Sequence, residues 1–224
     1  MSKEHAGKEY PLWDLPTRLF HWAIVGCLPL AWWSAEEGNY ELHEWVGYAV
    51  IVLVVSRIIW GFVGSRHSRF SDFLAGPGKV FAFLKGEGDA GPGHNPAGGW
   101  SVLVLLSLLL LQPLSGLFNS DDVLFSGPLY YAASGDFRDV MGRVHDIAFN
   151  LLVAMVCLHI VAVLYHQFVR REPLVPAMVK GRAPGRVGLV SPAPWWLALL
   201  ILLVVAGALW FGLSLAPKPE PIMW

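Results

Sequence analysis

Five long apolar runs divide the chain, with polar segments rich in glycine, proline and charge between them. A helix rises about 1.5 Å per residue, so about 20 mostly apolar residues cross the hydrocarbon core of a bilayer. The runs predict membrane-spanning helices over about residues 17–35, 43–63, 99–118, 144–168 and 194–215. The pattern therefore predicts an all-α integral membrane protein with several passes.

The composition agrees with this pattern. Of 224 residues, 55% are hydrophobic and only 15% are charged, which is typical of membrane proteins and not of soluble domains. The net charge of -1 favours neither a nucleic-acid ligand nor a polybasic lipid clamp. Cys27 and Cys157 lie within apolar runs and form no CxxC or CxxCH motif. This argues against a disulfide framework, a zinc ribbon or a covalently attached cofactor.

Basic residues in the connecting segments predict the orientation. Lys and Arg concentrate in the N-terminal segment through Arg18, in the loop at 64–97 and in the loop at 169–193, which share one side of the membrane. Cytoplasmic loops carry the excess of Lys and Arg, so we expect a cytoplasmic N-terminus and, after five spans, a C-terminus on the outer side. The first run lacks a small-residue cleavage pattern, and we expect it to be retained.

Four histidines lie inside these runs or at their ends, where polar rings are costly. His145 and His159 are 14 residues apart, which places them about 40° apart around one helix and about 21 Å apart along it. His21 lies near the cytoplasmic end of the first run, and His43 lies at the external end of the second. Because successive helices alternate in direction, depth pairs His21 with His159 and His43 with His145.

Two facing imidazoles at each of two depths are what bis-histidine b-type haem requires. The sequence therefore predicts two non-covalent haems b, with His21 and His159 binding iron near the cytoplasm and His43 and His145 binding iron near the outer face of the membrane. Filled axial positions leave no iron site for a substrate, so such haems carry electrons. Three arginines lie where they could pair with haem propionates, namely Arg18, Arg57 and Arg143.

Simpler interpretations of the same residues stay open. A single membrane histidine can be an interhelical hydrogen-bond donor or part of a proton relay. Arg57 could extend to the lipid headgroups without a propionate partner. The last run, at 194–215, carries neither histidine nor charge and is expected to pack against other helices or to bind a partner. Solvated or interfacial histidine is the ordinary expectation in tails, loops and helix ends, and it applies to His5, His67, His94 and His166.

Several segments together point to a known family. They read LWDLPTRLFHW, LHEWVGYAVIVLVVSRIIWGFVG, GHNPAGGW, LSGLF followed by DD and GPL, and VHDIAFNLLVAMVCLHI. These segments resemble the bacterial cytochrome b561 family, which is related to the b-type cytochrome subunits of nickel-iron hydrogenases. The resemblance runs from about residue 10 to about residue 182. The histidines of its motifs match His21, His43, His145 and His159.

The resemblance implies a four-helix membrane domain over 10–182 that holds two haems b, with quinone exchange on one side and an electron partner on the other. Residues 183–224, with the fifth span and a short tail, depart from that pattern. We expect electron transfer across the bacterial inner membrane, between a quinone or quinol and a periplasmic cytochrome c or dehydrogenase subunit. Membrane lipid surrounds the helices. The sequence decides neither the direction of electron flow nor whether the protein forms a homo-oligomer.

Two functions of other classes stay open. A proton or metal-ion transporter would use the histidines as a relay or as ligands, and it predicts carboxylates within the spans. Asp146 is the one carboxylate near the core of a histidine-bearing run, and it lies near the outer end. A membrane anchor for a periplasmic enzyme would instead hold haem in a purely structural role.

Overall fold

The computed structural model describes residues 12–87, 93–121, 125–182 and 192–217. Helices dominate this part of the chain, and an isolated antiparallel β-bridge pairs Ser120 with Ser126. The α-helices are α1 Leu15–Glu36, α2 Tyr40–Val63, α3 Phe70–Phe73, α4 Pro77–Leu84, α5 Pro96–Gly116, α6 Gly135–Leu164, α7 Leu174–Lys180 and α8 Trp195–Ser214. Short 3-10 turns occupy Arg66–Ser68 and Tyr130–Ala132, and a π-helical turn at Tyr165–Val169 continues α6.

Four of the described helices are long and apolar enough to cross a membrane. They are α2, α5, α8, and α6 together with its π-helical turn. Helix α1 is comparably long at 22 residues, but its apolar run is interrupted by Arg18 and His21 and contains Pro29, and it is not among the four. The fold is therefore a multi-pass helical membrane protein, and membrane crossing by α1 stays a prediction.

The helix that contains the predicted fourth span, about residues 144–168, is longer than that span. Helix α6 begins at Gly135, so the last part of the expected 119–143 loop is helical. The hydroxyl of Ser134 accepts a hydrogen bond from the backbone N–H of Phe137 at 3.4 Å, and Asp136 lies in the first turn, where a negative charge stabilises a helix. An apolar run marks only the part of a helix that faces lipid, so it misses a polar first turn.

The chain divides into two compact units. The first unit comprises Met1–His21, Arg57–Val104 and Val156–Leu199, and the second comprises Trp22–Ser56, Leu105–Met155 and Leu200–Trp224. Helices α1, α2, α5, α6 and α8 each contribute one end to each unit. His21 and His159 consequently belong to the first unit, whereas His43 and His145 belong to the second.

In the first unit, a buried carboxylate connects the start of α1 to the end of α2. Asp14 is 2% exposed and accepts hydrogen bonds from the backbone N–H of Thr17 at 2.9 Å, from Trp60 Nε1 at 3.0 Å and from the Ser68 hydroxyl at 3.0 Å. Burial by itself raises the pKa of Asp14, but side-chain and backbone hydrogen bonds, including those from Thr17 and Trp60, outweigh it and hold the pKa below its ordinary value. Asp14 is therefore a charged N-cap of α1 that reaches a second helix.

Helix α7 also packs in the first unit, against the segment that precedes α1. The carbonyl of Gly181 accepts hydrogen bonds from the backbone N–H groups of Leu12 at 2.6 Å and Trp13 at 3.2 Å. Leu12 and Trp13 bury their side chains with Ala177 of α7. Gly181 ends α7 with φ +78°, a left-handed conformation that glycine adopts without strain.

The second unit has a narrow apolar core. Val46, Val50 and Val54 of α2 follow one another at helical spacing, and each is almost fully buried. Leu109 of α5 and Leu152 of α6 are buried in the same unit. Many other apolar side chains of α6 and α8 are exposed, as lipid-facing positions of membrane helices are.

Candidate functional site

The second unit brings His43 and His145 together. Helix α2 carries His43 in its first turn, and α6 carries His145. The centroids of the two imidazole rings are 6.3 Å apart, and the ring planes make an angle of 71°. The rings are too far apart for a direct hydrogen bond but close enough to bind one ion or group between them.

Backbone carbonyls orient both of these rings. Nδ1 of His43 lies 2.8 Å from the carbonyl oxygen of Ala31, and Nδ1 of His145 lies 2.9 Å from the carbonyl oxygen of Gln112. A carbonyl oxygen only accepts, so each Nδ1 is the protonated donor and each Nε2 of the neutral ring keeps a lone pair. This is the arrangement that metal-binding histidines usually adopt.

Three residues near the end of α5 surround His145, and none of them was predicted from the sequence. The amide nitrogen of Gln112 lies 3.0 Å from His145 Nε2, and the hydroxyl of Ser115 lies 3.3 Å from Nδ1. A Cβ on Gly116 would lie 3.0 Å from Cε1 of the same ring, closer than ordinary packing allows. Their spacing of three and four residues, at the end of an otherwise apolar run, is the signal that could have identified them.

The first unit brings His21 and His159 together in a similar way. Helix α1 carries His21 and α6 carries His159, and the ring centroids are 6.5 Å apart at an interplanar angle of 53°. The rings that lie close together are thus the ones that membrane depth predicts, His21 with His159 and His43 with His145.

Arg57 belongs to the first unit and is almost fully buried. Its residue is 5% exposed, and Nη1 has no hydrogen-bond partner among the described residues. The guanidinium carbon lies 5.8 Å from the centroid of the Phe70 ring, and Asp14 is close enough to interact with the charge. A buried cation without a hydrogen-bonded anion is costly, so this arrangement indicates that a further acceptor binds here.

The other two arginines differ from Arg57. Arg18 is half-buried and donates from Nη1 to the carbonyl of Val179 at 2.7 Å, whereas its buried Nε has no partner among the described residues. Arg143 belongs to the second unit and is exposed to the surroundings. The role of either arginine toward a propionate stays a prediction.

The expectation that His67 is solvated is wrong. Its residue is 4% exposed, and its Nδ1 lies 2.9 Å from a carboxylate oxygen of Asp72. Burial raises the pKa of Asp72, but hydrogen bonds from His67 and Arg66 hold it below its ordinary value. The part of this loop that forms α3 and the preceding 3-10 turn is therefore packed within the first unit and is not a solvated loop.

His94 also differs from a solvated loop histidine, because its Nδ1 is buried without a hydrogen-bond partner in the described structure. Its ring lies between those of Trp13 and Phe73, with centroid distances of 4.7 Å and 4.6 Å. His166 is partly buried and faces Glu172 at 3.4 Å. His5 lies outside the described residues.

Each histidine pair is a two-ligand arrangement. Within the described part of the chain, no group of three or more His, Cys, Asp or Glu side chains converges as it would around a bare metal ion. Protein zinc sites, for comparison, use three or four protein ligands. A metal ion bound between the two rings of either pair would need its remaining ligands from another group.

The comparisons with known proteins agree with the histidine arrangement. A family model for prokaryotic cytochrome b561 matches residues 12–181, a stretch that contains all four paired histidines. A probable Ni/Fe-hydrogenase B-type cytochrome subunit of Bradyrhizobium diazoefficiens is 24% identical over an alignment 210 residues long. The alignment covers 76% of this chain and 84% of the relative. No solved structure matches the chain significantly. The resemblance seen in the sequence is confirmed: the chain belongs to the prokaryotic cytochrome b561 family and is a multi-pass bacterial membrane b-type cytochrome of electron transfer.

Proposed function

We propose that the protein holds two haems b and passes electrons through the bacterial inner membrane between a quinone or quinol and a periplasmic redox partner. His21 and His159 would bind one iron, and His43 and His145 the other. The observation that carries the proposal is the presence of one facing imidazole pair in each unit. Haem bound in this way supplies a metal centre that exchanges single electrons without binding a substrate.

The spacing of the rings supports this proposal. With metal–nitrogen bonds of about 2 Å and each ring centroid about 1 Å beyond its nitrogen, two imidazoles that hold one iron would have centroids up to about 6 Å apart. The observed distances are 6.3 Å and 6.5 Å. A porphyrin would also supply the four ligands that each two-histidine arrangement lacks.

The orientation of the second-unit rings gives further support. Because Ala31 and Gln112 accept from Nδ1, the lone pair of Nε2 is the one available to a metal in both His43 and His145. The side-chain amide of Gln112 lies at Nε2 of His145, and the proposal requires that it release this nitrogen. Gly116 leaves room beside the same ring, since a Cβ there would press on it.

The proposal for orientation and partner rests on charge and on the relative. By the positive-inside rule, the Arg-rich and Lys-rich segments favour a cytoplasmic N-terminus, and five crossings would then put the C-terminus in the periplasm. The matched relative is named as a hydrogenase cytochrome subunit, which favours a redox enzyme subunit as the partner. Residues 10–182 would form the di-haem domain, and α8 would pack beside it or bind the partner.

A cofactor count with paired variants tests the proposal. Purified protein should show low-spin reducible haem spectra with two haems per chain. His21→Ala or His159→Ala should remove one haem, and His43→Ala or His145→Ala should remove the other. His166→Asn is the matched control, because His166 belongs to neither pair, and it should retain both haems.

Three results would contradict the proposal. Zinc without iron in the purified protein would favour the transporter interpretation. Retention of both haems in every ligand variant would show that other residues bind them. Haem loss without any effect on electron delivery from a quinol analogue would favour the membrane-anchor interpretation.

A further inference from the structure

The buried guanidinium of Arg57 requires an acceptor that the described protein does not provide. The carboxylate of Asp14 interacts with this charge but is occupied by donors from Thr17, Trp60 and Ser68. No ion pair between Arg57 and a carboxylate is formed within the described residues, although Nη1 is buried. Since Arg57 is only 5% exposed, bulk water does not replace an anion at this charge.

His94 is a second buried donor in the same part of the first unit. Its ring packs between Trp13 and Phe73, and its Nδ1 has no hydrogen-bond partner among the described residues. It lies close enough to Arg57 and to His159 to interact electrostatically with both. His94, which has an unpartnered buried ring nitrogen, thus lies within electrostatic reach of the unpartnered guanidinium of Arg57 and of one ring of the first-unit histidine pair.

The protonation of His94 suits a neutral donor. Burial and, to a smaller extent, the nearby positive charge of Arg57 lower the pKa of His94 to about 3. A neutral imidazole donates from one ring nitrogen only and adds no charge. Arg57 therefore supplies the positive charge for an acceptor at this position, and both residues supply hydrogen bonds to it.

We propose that His94 and Arg57 donate hydrogen bonds to one carboxylate, a propionate of the haem held by His21 and His159. This inference rests on the proposed function and assigns a role to His94, which neither the helix pattern nor the histidine pairing requires. A carboxylate is the acceptor that a buried guanidinium prefers. His94 is thereby a positioning residue for the cofactor and not an iron ligand.

The proposal has a consequence for the potential of that haem. Hydrogen bonds and a positive charge at the propionate offset its negative charge, and that negative charge favours the oxidised, more positive iron. Removal of the donor leaves more of the charge uncompensated, so the midpoint potential of this haem should fall. The haem held by His43 and His145 should keep its potential.

The experiment compares His94→Phe with His94→Asn in the purified holoprotein. The Phe variant keeps a flat ring between Trp13 and Phe73 but has no donor, whereas the Asn variant keeps a donor near the position of Nδ1. Spectroelectrochemical titration resolves the two midpoint potentials, and the propionate bending band in resonance Raman spectra reports hydrogen bonding to the carboxylate. His166→Asn is the control.

We expect His94→Phe to lower one of the two potentials and to shift the propionate band, with Arg57→Gln lowering the same potential. His94→Asn should restore both observations toward those of the unchanged protein, and His166→Asn should alter neither. His94→Leu carries the same expectation as the Phe variant and replaces it if that variant does not accumulate.

Unchanged potentials and an unchanged propionate band in a donor-free variant with two haems would overturn the inference. The inference would also be overturned if the His94 variants changed the midpoint potential of one haem and the Arg57 variant changed that of the other. Failure of the proposed function is distinguishable, because the unchanged protein would then lack two low-spin haems before any variant is compared.

Discussion

Removal of the buried Asp14 carboxylate tests how the first unit holds the start of α1 to the end of α2. Asp14→Ala removes the acceptor of the Thr17 N–H, at 2.9 Å, and of Trp60 Nε1, at 3.0 Å. The Ser68 hydroxyl loses an acceptor too, but it keeps a second partner, Thr17 Oγ1, at 2.7 Å. The net loss of hydrogen bonds is therefore one helix cap and one buried indole bond, and the loss of the Asp14 charge beside buried Arg57 acts in the same direction.

The size of the effect follows from these two losses. Loss of an N-cap costs about 1 kcal/mol, and an indole N–H left buried and unpaired costs about 1–3 kcal/mol. Trp60 is 3% exposed, so water cannot readily replace the carboxylate. Asp14→Ala should lower the free energy of unfolding by about 2–4 kcal/mol.

The assay is reversible unfolding of the detergent-solubilised protein by sodium dodecyl sulfate, followed by the circular dichroism of its helices. Glu37→Gln is the control, because it removes the same charge from an exposed position and should change the free energy of unfolding by less than about 0.5 kcal/mol. If Asp14→Ala unfolds at the same detergent fraction as this control, the reasoning is refuted.

A double-mutant cycle with Trp60→Phe isolates the indole bond. Trp60→Phe loses packing whether residue 14 is Asp or Ala. It removes the hydrogen bond only in the protein that has Asp14. The coupling free energy between the two positions should be about 1–3 kcal/mol. A coupling of zero would show that the Trp60 bond adds nothing to the effect.

Two other predictions concern acid stability and the second unit. The folded-state pKa values of Asp14 and Asp72 lie below the ordinary 3.8, so the stability they add is complete above that pH and is lost as the pH falls through the folded-state values. The free energy of unfolding should therefore fall below about pH 4, and by less in Asp72→Asn, while an equal fall in both proteins would count against this. Gly116→Ala puts a Cβ 3.0 Å from His145 Cε1, whereas Gly47→Ala makes an ordinary 3.8 Å contact with Pro113. Haem content should fall by up to one per chain in the first variant and stay unchanged in the second, and equal content in both would contradict the tight fit.

The long helices and the histidine pairs could be predicted because their signals are local and periodic. An apolar run of about 20 residues specifies a spanning helix by length alone. The spacing of His145 and His159 on one helix then fixed which partners each could meet, and the structure brings those partners within 6.5 Å. The family resemblance was carried by the same segments.

The polar contacts around the histidines depended on the tertiary structure. Gln112 reaches His145 across 33 positions of sequence, and Ser68 reaches Asp14 across 54, so no local pattern specifies either bond. The burial of His67 and of His94 Nδ1 likewise arises because a segment that looks like a polar loop folds against the first unit. Hydropathy and helical period describe how each residue meets lipid or water, whereas hydrogen-bond partners and buried charges are decided only when distant segments meet.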